Sequence, residues 1–311
     1  MRSSSSLTSV NIQSKLKEAF TFIAWRFSGG SLQGDTFAPL LSQLEDYRAV
    51  YENLTRKSLN SARIFEIGYG QRPLRLVALI SMGLDASGID LDMPMLNFSL
   101  SRLYAISKKN GLERALKTGV RSVLFDSKER AALNKSLQVR GYELKIDLPR
   151  FLVGNAASFT PDDGATDLIY SEDVFEHIPQ DQLKILVEHL ATRLSPQGLA
   201  LIRPNIFTGI TGSHLLEWYA GQVDKEFPRS SEPWEHLRKR RFTANTYLNE
   251  MTRADYRSLF STCFDILEER VQFPDLGRKW LTPELREELA DWSDEEIFSN
   301  RVLFVLRRKS A

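Results

Sequence analysis

Residues 63–90 constrain the fold more than any other stretch of the chain. Arg63 to Ile67 is a short apolar run that breaks into Gly68-Tyr69-Gly70, and Pro73 stands where a helix begins. Leu74, Val77, Leu79 and Ile80 mark that helix, Gly83 ends it, and Ala86 to Asp90 reads as the next strand. Strand, helix and strand within about thirty residues make a βαβ unit, which requires a parallel sheet with helices over it. A nucleotide-like ligand at such a turn needs glycine where its backbone approaches the loop. It also needs an acid at the end of the second strand for its ribose hydroxyls. Gly68, Gly70 and Asp90 meet both needs, with Asp90 about twenty residues past Gly70. Glycines in tight strand-to-helix turns also serve the backbone alone, so Gly68 and Gly70 do not identify the ligand.

Glu66 narrows the ligand. An acid two positions before the first glycine repels a phosphate and suits a cation. S-adenosylmethionine carries an ammonium in its methionine moiety and no phosphate. Glu66-Ile67-Gly68-Tyr69-Gly70, Gly88-Ile89-Asp90, Gly154-Asn155-Ala156 and Asp167-Leu168-Ile169-Tyr170-Ser171 resemble, in order and spacing, successive motifs of class I S-adenosylmethionine-dependent methyltransferases. The likeness covers about residues 63–205. It implies an α/β fold with a Rossmann-like, doubly wound, mostly parallel seven-stranded sheet. It also implies S-adenosyl-L-methionine as cofactor and methyl transfer to a small-molecule or glycan-like acceptor at oxygen.

Carried over residue by residue, the resemblance places Glu66 near the methionine ammonium, Gly68, Tyr69 and Gly70 beneath the cofactor, Asp90 on the ribose and Leu91 against the adenine. Asn155 and Ala156 fall at the adenine edge, where the family commonly has Asp in the first position. Ser171 and Glu172 fall beside the sulfonium and the acceptor. Val174-Phe175-Glu176-His177-Ile178 resembles the segment that follows in small-molecule methyltransferases of the type 11 kind. Gly212-Ser213-His214 and Thr246-Tyr247-Leu248-Asn249 resemble bacterial enzymes of glycan and natural-product pathways. Arg72 departs from the pattern, standing where the family often has a third glycine.

A hydroxyl acceptor benefits from a general base, and His177 and His214 are the candidates by position, since imidazole titrates near working pH. Each has a structural reading beside it: His177 as a helix-start packing residue, His214 as a loop hydrogen-bonding residue. A nicotinamide-dependent oxidoreductase would share the glycine turn and Asp90, but Glu66 and the missing third glycine oppose a pyrophosphate. A catalytically silent, methyltransferase-like binding protein is a further alternative.

Around this unit, residues 1–60 read as a helical extension, with Leu16, Phe20, Ile23 and Phe27 on one face of an amphipathic helix. Phe37, Leu40, Leu41, Leu44, Tyr47, Tyr51 and Leu54 mark a second helix. Residues 61–311 form the methyltransferase-like domain, with a helical insertion at 92–149 and an acceptor loop and cap region at 204–250. Thr252-Arg253-Ala254-Asp255 is a capping-box start for a helix, and Phe264 to Val271 and Arg301 to Arg307 are late strands.

Formal charge is +1, so no overall field recruits nucleic acid or an anionic membrane surface. No run of residues is long and apolar enough for a membrane span. Cys263 is the only cysteine, which excludes an intrachain disulfide and a thiolate zinc site and fits a reducing cytoplasm. Glu172-Asp173 and Asp162-Asp163 lack a histidine at ligand spacing, so no metal is expected. The basic run Arg238 to Arg241 reads as a solvated face, with contact to an anionic acceptor as its alternative. Trp218, Tyr219 and Trp234 fill the core of the cap or stack on an acceptor. The sequence leaves a homodimer open.

Overall fold

The computed structural model describes residues 36–94, 96, 99–111, 115, 118–119, 126–158, 166–241 and 246–309. The helix expected around Leu16 to Phe27, most of the helical segment 112–124, and Asp162-Asp163 lie outside them.

Seven strands form one sheet: β1 Arg63–Ile67, β2 Asp85–Asp90, β3 Phe151–Val153, β4 Thr166–Glu172, β5 Leu194–Arg203, β6 Phe264–Gln272 and β7 Arg301–Arg308. Their order is β3-β2-β1-β4-β5-β7-β6. The first five run parallel, while β7 is antiparallel to both β5 and β6. Glu66 is in register with Gly88 on one side and Tyr170 on the other. The chain order reverses between β1 and β4, which is where open α/β sheets bind ligands, beyond the carboxyl ends of the strands.

Strand alternation divides the core between two faces. Ile64, Leu168, Tyr170, Leu199 and Leu201 pack with helices α1 (Ala38–Thr55), α2 (Leu74–Ser81) and α4 (Ser127–Gln138). Those helices contribute Leu41, Leu44, Tyr47 and Tyr51, then Leu76, Val77 and Ile80, then Leu133 and Leu137. Helix α3 (Leu100–Asn110) lies in the insertion. Phe65, Ile67, Ile169, Ala200 and Ile202 face the other way, onto α5 (Gln180–Arg193) and α7 (Arg253–Phe260). Each Leu or Ile fully buried in this way contributes about 1.5–3 kcal/mol of transfer free energy. The expected capping box is formed: Thr252 Oγ1 accepts from the Asp255 backbone at 3.0 Å and Asp255 accepts from the Thr252 backbone at 2.9 Å.

A third core lies under the cap. Ile210, Trp218, Val223 and Trp234 come from the expected cap region, which carries the short α6 (Glu235–Arg238), but Leu289, Ile297 and Phe298 join them from the later stretch around α8 (Pro283–Glu288) and α9 (Asp294–Ile297). Among the described residues no helix is long and apolar enough to cross a membrane.

Candidate functional site

The glycine loop turns on two left-handed glycines held by hydrogen bonds. Gly68 has φ +76° and donates to the Ile89 carbonyl at 2.8 Å, and Gly70 has φ +69°. A Cβ at Gly68 would lie 2.2 Å from Val174 Cγ2, so the position is closed to any larger residue. Gly70 N–H donates to Asp90 Oδ2 at 2.8 Å, and Asp92 N–H donates to Oδ1 at 2.7 Å. Asp90 is thus latched to the loop. Leu91, the next residue, is 64% exposed at the mouth of the site.

Tyr69 turns inward. Its ring packs edge-on to Phe151 at 5.8 Å and its hydroxyl donates to the Leu152 carbonyl at 2.7 Å, so only its backbone faces the loop. Arg72, at the departure from the glycine pattern, leaves the loop for Glu129 on α4 at 2.9 and 3.1 Å. Asn155 accepts from Ala157 N–H at 2.9 Å, an Asx turn that shapes the turn leaving β3.

Glu66 is 2% exposed, and its Oε2 has no hydrogen-bond partner. Burial pushes its carboxyl up to about 7, against the pull of Tyr170 and Arg75. A buried carboxylate oxygen without a donor is a costly arrangement that a cationic ligand relieves. Ser171 and Glu172 follow at the end of β4 but are already committed. Ser171 Oγ donates to the Ile67 carbonyl at 2.9 Å, and buried Glu172 is ion-paired with Arg203 at the end of β5.

A second cluster forms where the loops after β4 and β5 meet. Buried Glu176 lies with Oε1 4.0 Å from His214 Nε2. The His214 ring stands 4.9 Å from that of His177, tilted 65°, and 6.3 Å from Tyr219. His177 Nδ1 faces the Tyr247 carbonyl at 3.0 Å, which fixes the proton there in the neutral ring and turns Nε2 into an acceptor. His214 itself sits at φ +58°, an uncommon backbone for a non-glycine residue and one associated with functional loops. Burial pushes the Glu176 carboxyl up to about 8, with Glu172 adding repulsion. Burial likewise pushes His214 down to about 4, helped by His177 and His236. Glu176, His177 and His214 each offer a ligand atom within 4.8 Å of the others, the make-up of a metal site that neither acidic pair in the sequence suggested.

Glu176 stands inside the Val174–Ile178 motif with no role marked by its sequence context, and no local pattern singles out Arg75 or Arg203. The one available signal was Glu176 preceding His177; the partnership with His214 depends on β4 and β5 being neighbours. The basic run proves to be ion-paired. Arg238 meets Glu288 at 2.6 Å and Glu232 at 3.1 Å, Lys239 meets Glu232, and Arg241 lies 3.9 Å from Glu235. These pairs engage Arg238, Lys239 and Arg241, and with the Arg238 side chain 5% exposed the run is not a solvated face throughout. Trp218 and Trp234 are each 1% exposed and fill the cap core, while Tyr219 borders His214.

No protein-family model matches the chain, and no curated protein matches it. Solved structures do. The PH0226 protein of Pyrococcus horikoshii OT3 is 12% identical over 88% of this chain and 93% of its own, with a TM-score of 0.44. The CcbJ methyltransferase of Streptomyces caelestis is 14% identical over 83% of this chain and 94% of its own, TM-score 0.42. The magnesium protoporphyrin IX methyltransferase of Synechocystis PCC 6803, with bound S-adenosylhomocysteine, is 13% identical over 93% and 95%, TM-score 0.43.

Proposed function

We propose that the chain is an S-adenosylmethionine-dependent methyltransferase that methylates a hydroxyl oxygen of a small-molecule or glycan-like acceptor. The observation that carries this reading is Glu66, a buried carboxyl whose Oε2 has no hydrogen-bond partner, near the end of β1 and two residues before a glycine loop latched by Asp90. Those residues fit the donor: Glu66 for the ammonium, the backbone of 68–70 for the approach of the ligand, Asp90 for the ribose hydroxyls, and Leu91, Asn155 and Ala156 for the adenine. The position of β7 speaks against a nicotinamide enzyme, since dinucleotide-binding sheets have the order 3-2-1-4-5-6.

When bound, S-adenosylmethionine supplies a sulfonium methyl; the acceptor oxygen bonds the methyl carbon, the C–S pair passes to sulfur, and the hydroxyl proton needs a base. His214 is that base in this reading. Burial keeps its ring neutral, so a lone pair is available at neutral pH with less proton affinity than an ordinary imidazole, and Glu176, 4.0 Å away and pushed up to about 8, stabilises an imidazolium only after losing its own proton. His177 holds the geometry through Tyr247 and borders the same space. Ser171 and Glu172 act by fixing the ends of β4, β1 and β5. Alignment and exclusion of water supply much of the remaining acceleration, about 7–11 kcal/mol for well-oriented reactants.

Titration of S-adenosylhomocysteine into the purified chain tests the reading. A saturable site is expected, weakened roughly 100-fold by Asp90→Ala, about the 3 kcal/mol of two charge-assisted bonds. A flat titration in the unaltered protein would sink it.

A further inference from the structure

A cavity of about 730 Å³ opens beyond the carboxyl end of β5. Its wall is built from the start of α1, the first turn of α2, the end of β6 and the start of β7. Arginines supply four of its lining residues, Arg75, Arg203, Arg270 and Arg301, whereas Asp46 is the one lining acid. The carboxylates that neutralise two of those arginines stand outside the wall. Glu172 pairs with Arg203, and Asp173 pairs with Arg301, whose Nε meets Oδ1 at 2.7 Å. Arg270 meets the acid of the wall, Asp46, at 2.8 Å, and Glu268 outside it at 2.9 Å. Arg75 donates to Gln43 at 3.2 Å and lies 3.8 Å from Glu172. Arg203 is buried, and its Nε has no hydrogen-bond partner.

Guanidinium groups are planar forks that match oxyanions bidentately, and the match strengthens where water is scarce. Several of them around one space repel one another unless an anion enters. Burial holds Arg75 and Arg301 below the usual guanidinium range; Glu66 pulls the first and Glu172 the second the other way, and the neighbouring arginines add a smaller lowering. Arg75 also acts on Glu66, so the cavity adjoins the place assigned above to the methionine end of the donor.

We infer that this arginine-lined cavity receives an anionic group of the acceptor, a phosphate or a carboxylate, and so selects acidic acceptors over neutral ones. The inference rests on the methyltransferase reading for the word acceptor; the anion site itself stands on the cavity.

Isothermal titration of the full chain, with and without saturating S-adenosylhomocysteine, uses inorganic phosphate and malonate as separate probes. At least one is expected to saturate a single site in the presence of S-adenosylhomocysteine. Arg301→Gln should weaken that site roughly tenfold or more and Arg270→Gln several-fold, with S-adenosylhomocysteine affinity unchanged. Arg270 is 42% exposed, so its variant folds even if Arg301→Gln, which strands Asp173, does not. Absence of saturable binding overturns the inference, as does equal affinity in the variants. Competition of either anion with S-adenosylhomocysteine but not with methylthioadenosine also overturns it, because the arginines then serve the donor's own carboxylate. Failure of the unaltered chain to bind S-adenosylhomocysteine sinks the methyltransferase reading instead, whatever the phosphate titration shows.

Discussion

Gly68 and Val174 touch across the two loops that build the site, so closely that a Cβ on residue 68 would fall 2.2 Å from Val174 Cγ2. The glycine loop after β1 and the segment after β4 are therefore one packed unit. Gly68→Ala is expected to abolish S-adenosylhomocysteine binding and to lower the melting temperature. Adding Val174→Ala should restore part of the stability. Full recovery is ruled out by the backbone, since φ +76° strains any residue with a Cβ by about 1–2 kcal/mol. Calorimetry of the single and double variants checks this; a double variant no better than the single would separate the loops.

Binding of the donor should be linked to protons through Glu66. Its carboxyl titrates at about 7 in the free protein because it is buried, and a cation placed against it favours the ionised form. The carboxyl is raised relative to the unfolded chain, so it holds its proton at acid pH and must release it to receive the ammonium. Affinity for S-adenosylhomocysteine should rise as pH goes from 6 to 8, with release of roughly half a proton at pH 7. Titration in buffers of different ionisation enthalpy measures the number. Glu66→Gln should remove the linkage.

Turnover with a working acceptor should fall about 10²–10⁴-fold in His214→Ala, the usual span for loss of a general base. S-adenosylhomocysteine affinity should stay within a few-fold. Incubation with a chelator is expected to leave turnover unchanged. Loss on chelation, restored by a divalent ion, would reassign Glu176, His177 and His214 as metal ligands.

Arg229 tests the cap on its own. Its guanidinium lies 4.3 Å from the Trp280 ring, 4.8 Å from Phe227 and 4.9 Å from Trp218, and donates to the Val223 and Lys225 carbonyls at 2.9 and 3.0 Å. Arg229→Ala should cost roughly 2–3 kcal/mol, seen as a drop of several degrees in melting temperature with loss of the near-ultraviolet tryptophan signal. Arg229→Lys should recover less than half, because a point charge cannot stack on several planes. An unchanged melting curve in Arg229→Ala would show the cation to be incidental.

What the sequence disclosed and what it hid divide along contact distance. The β1 loop and Asp90 were legible because strand, turn, helix and acid lie within one short stretch, each forced by local chemistry. Val174 to Ile178 was recognisable as a motif, yet the meeting of Glu176 with His214 was not, since it needs β4 and β5 side by side and two loops folded over them. Tyr69 was named with its loop, but strand geometry sends its side chain under the sheet edge to Phe151, which no local pattern reveals. The pairing of Arg203 with Glu172 and Arg301 with Asp173 crosses three strands of different direction and left no mark on spacing. The basic run, by contrast, carried a clue in Glu232 and Glu235 just upstream.

The place of β7 sets an order of events during synthesis. β6 has one neighbour in the sheet, and that neighbour is made some thirty residues later. Until β7 is made, β6 lacks its native partner, the edge of β5 stands open, and Arg301 is missing from the wall of the cavity. The parallel half of the sheet and its glycine loop can assemble early, whereas the acceptor side waits for a strand that must slide between two others. A nascent chain paused before residue 300 would thus be able to form the donor loop while lacking the wall that completes the acceptor cavity.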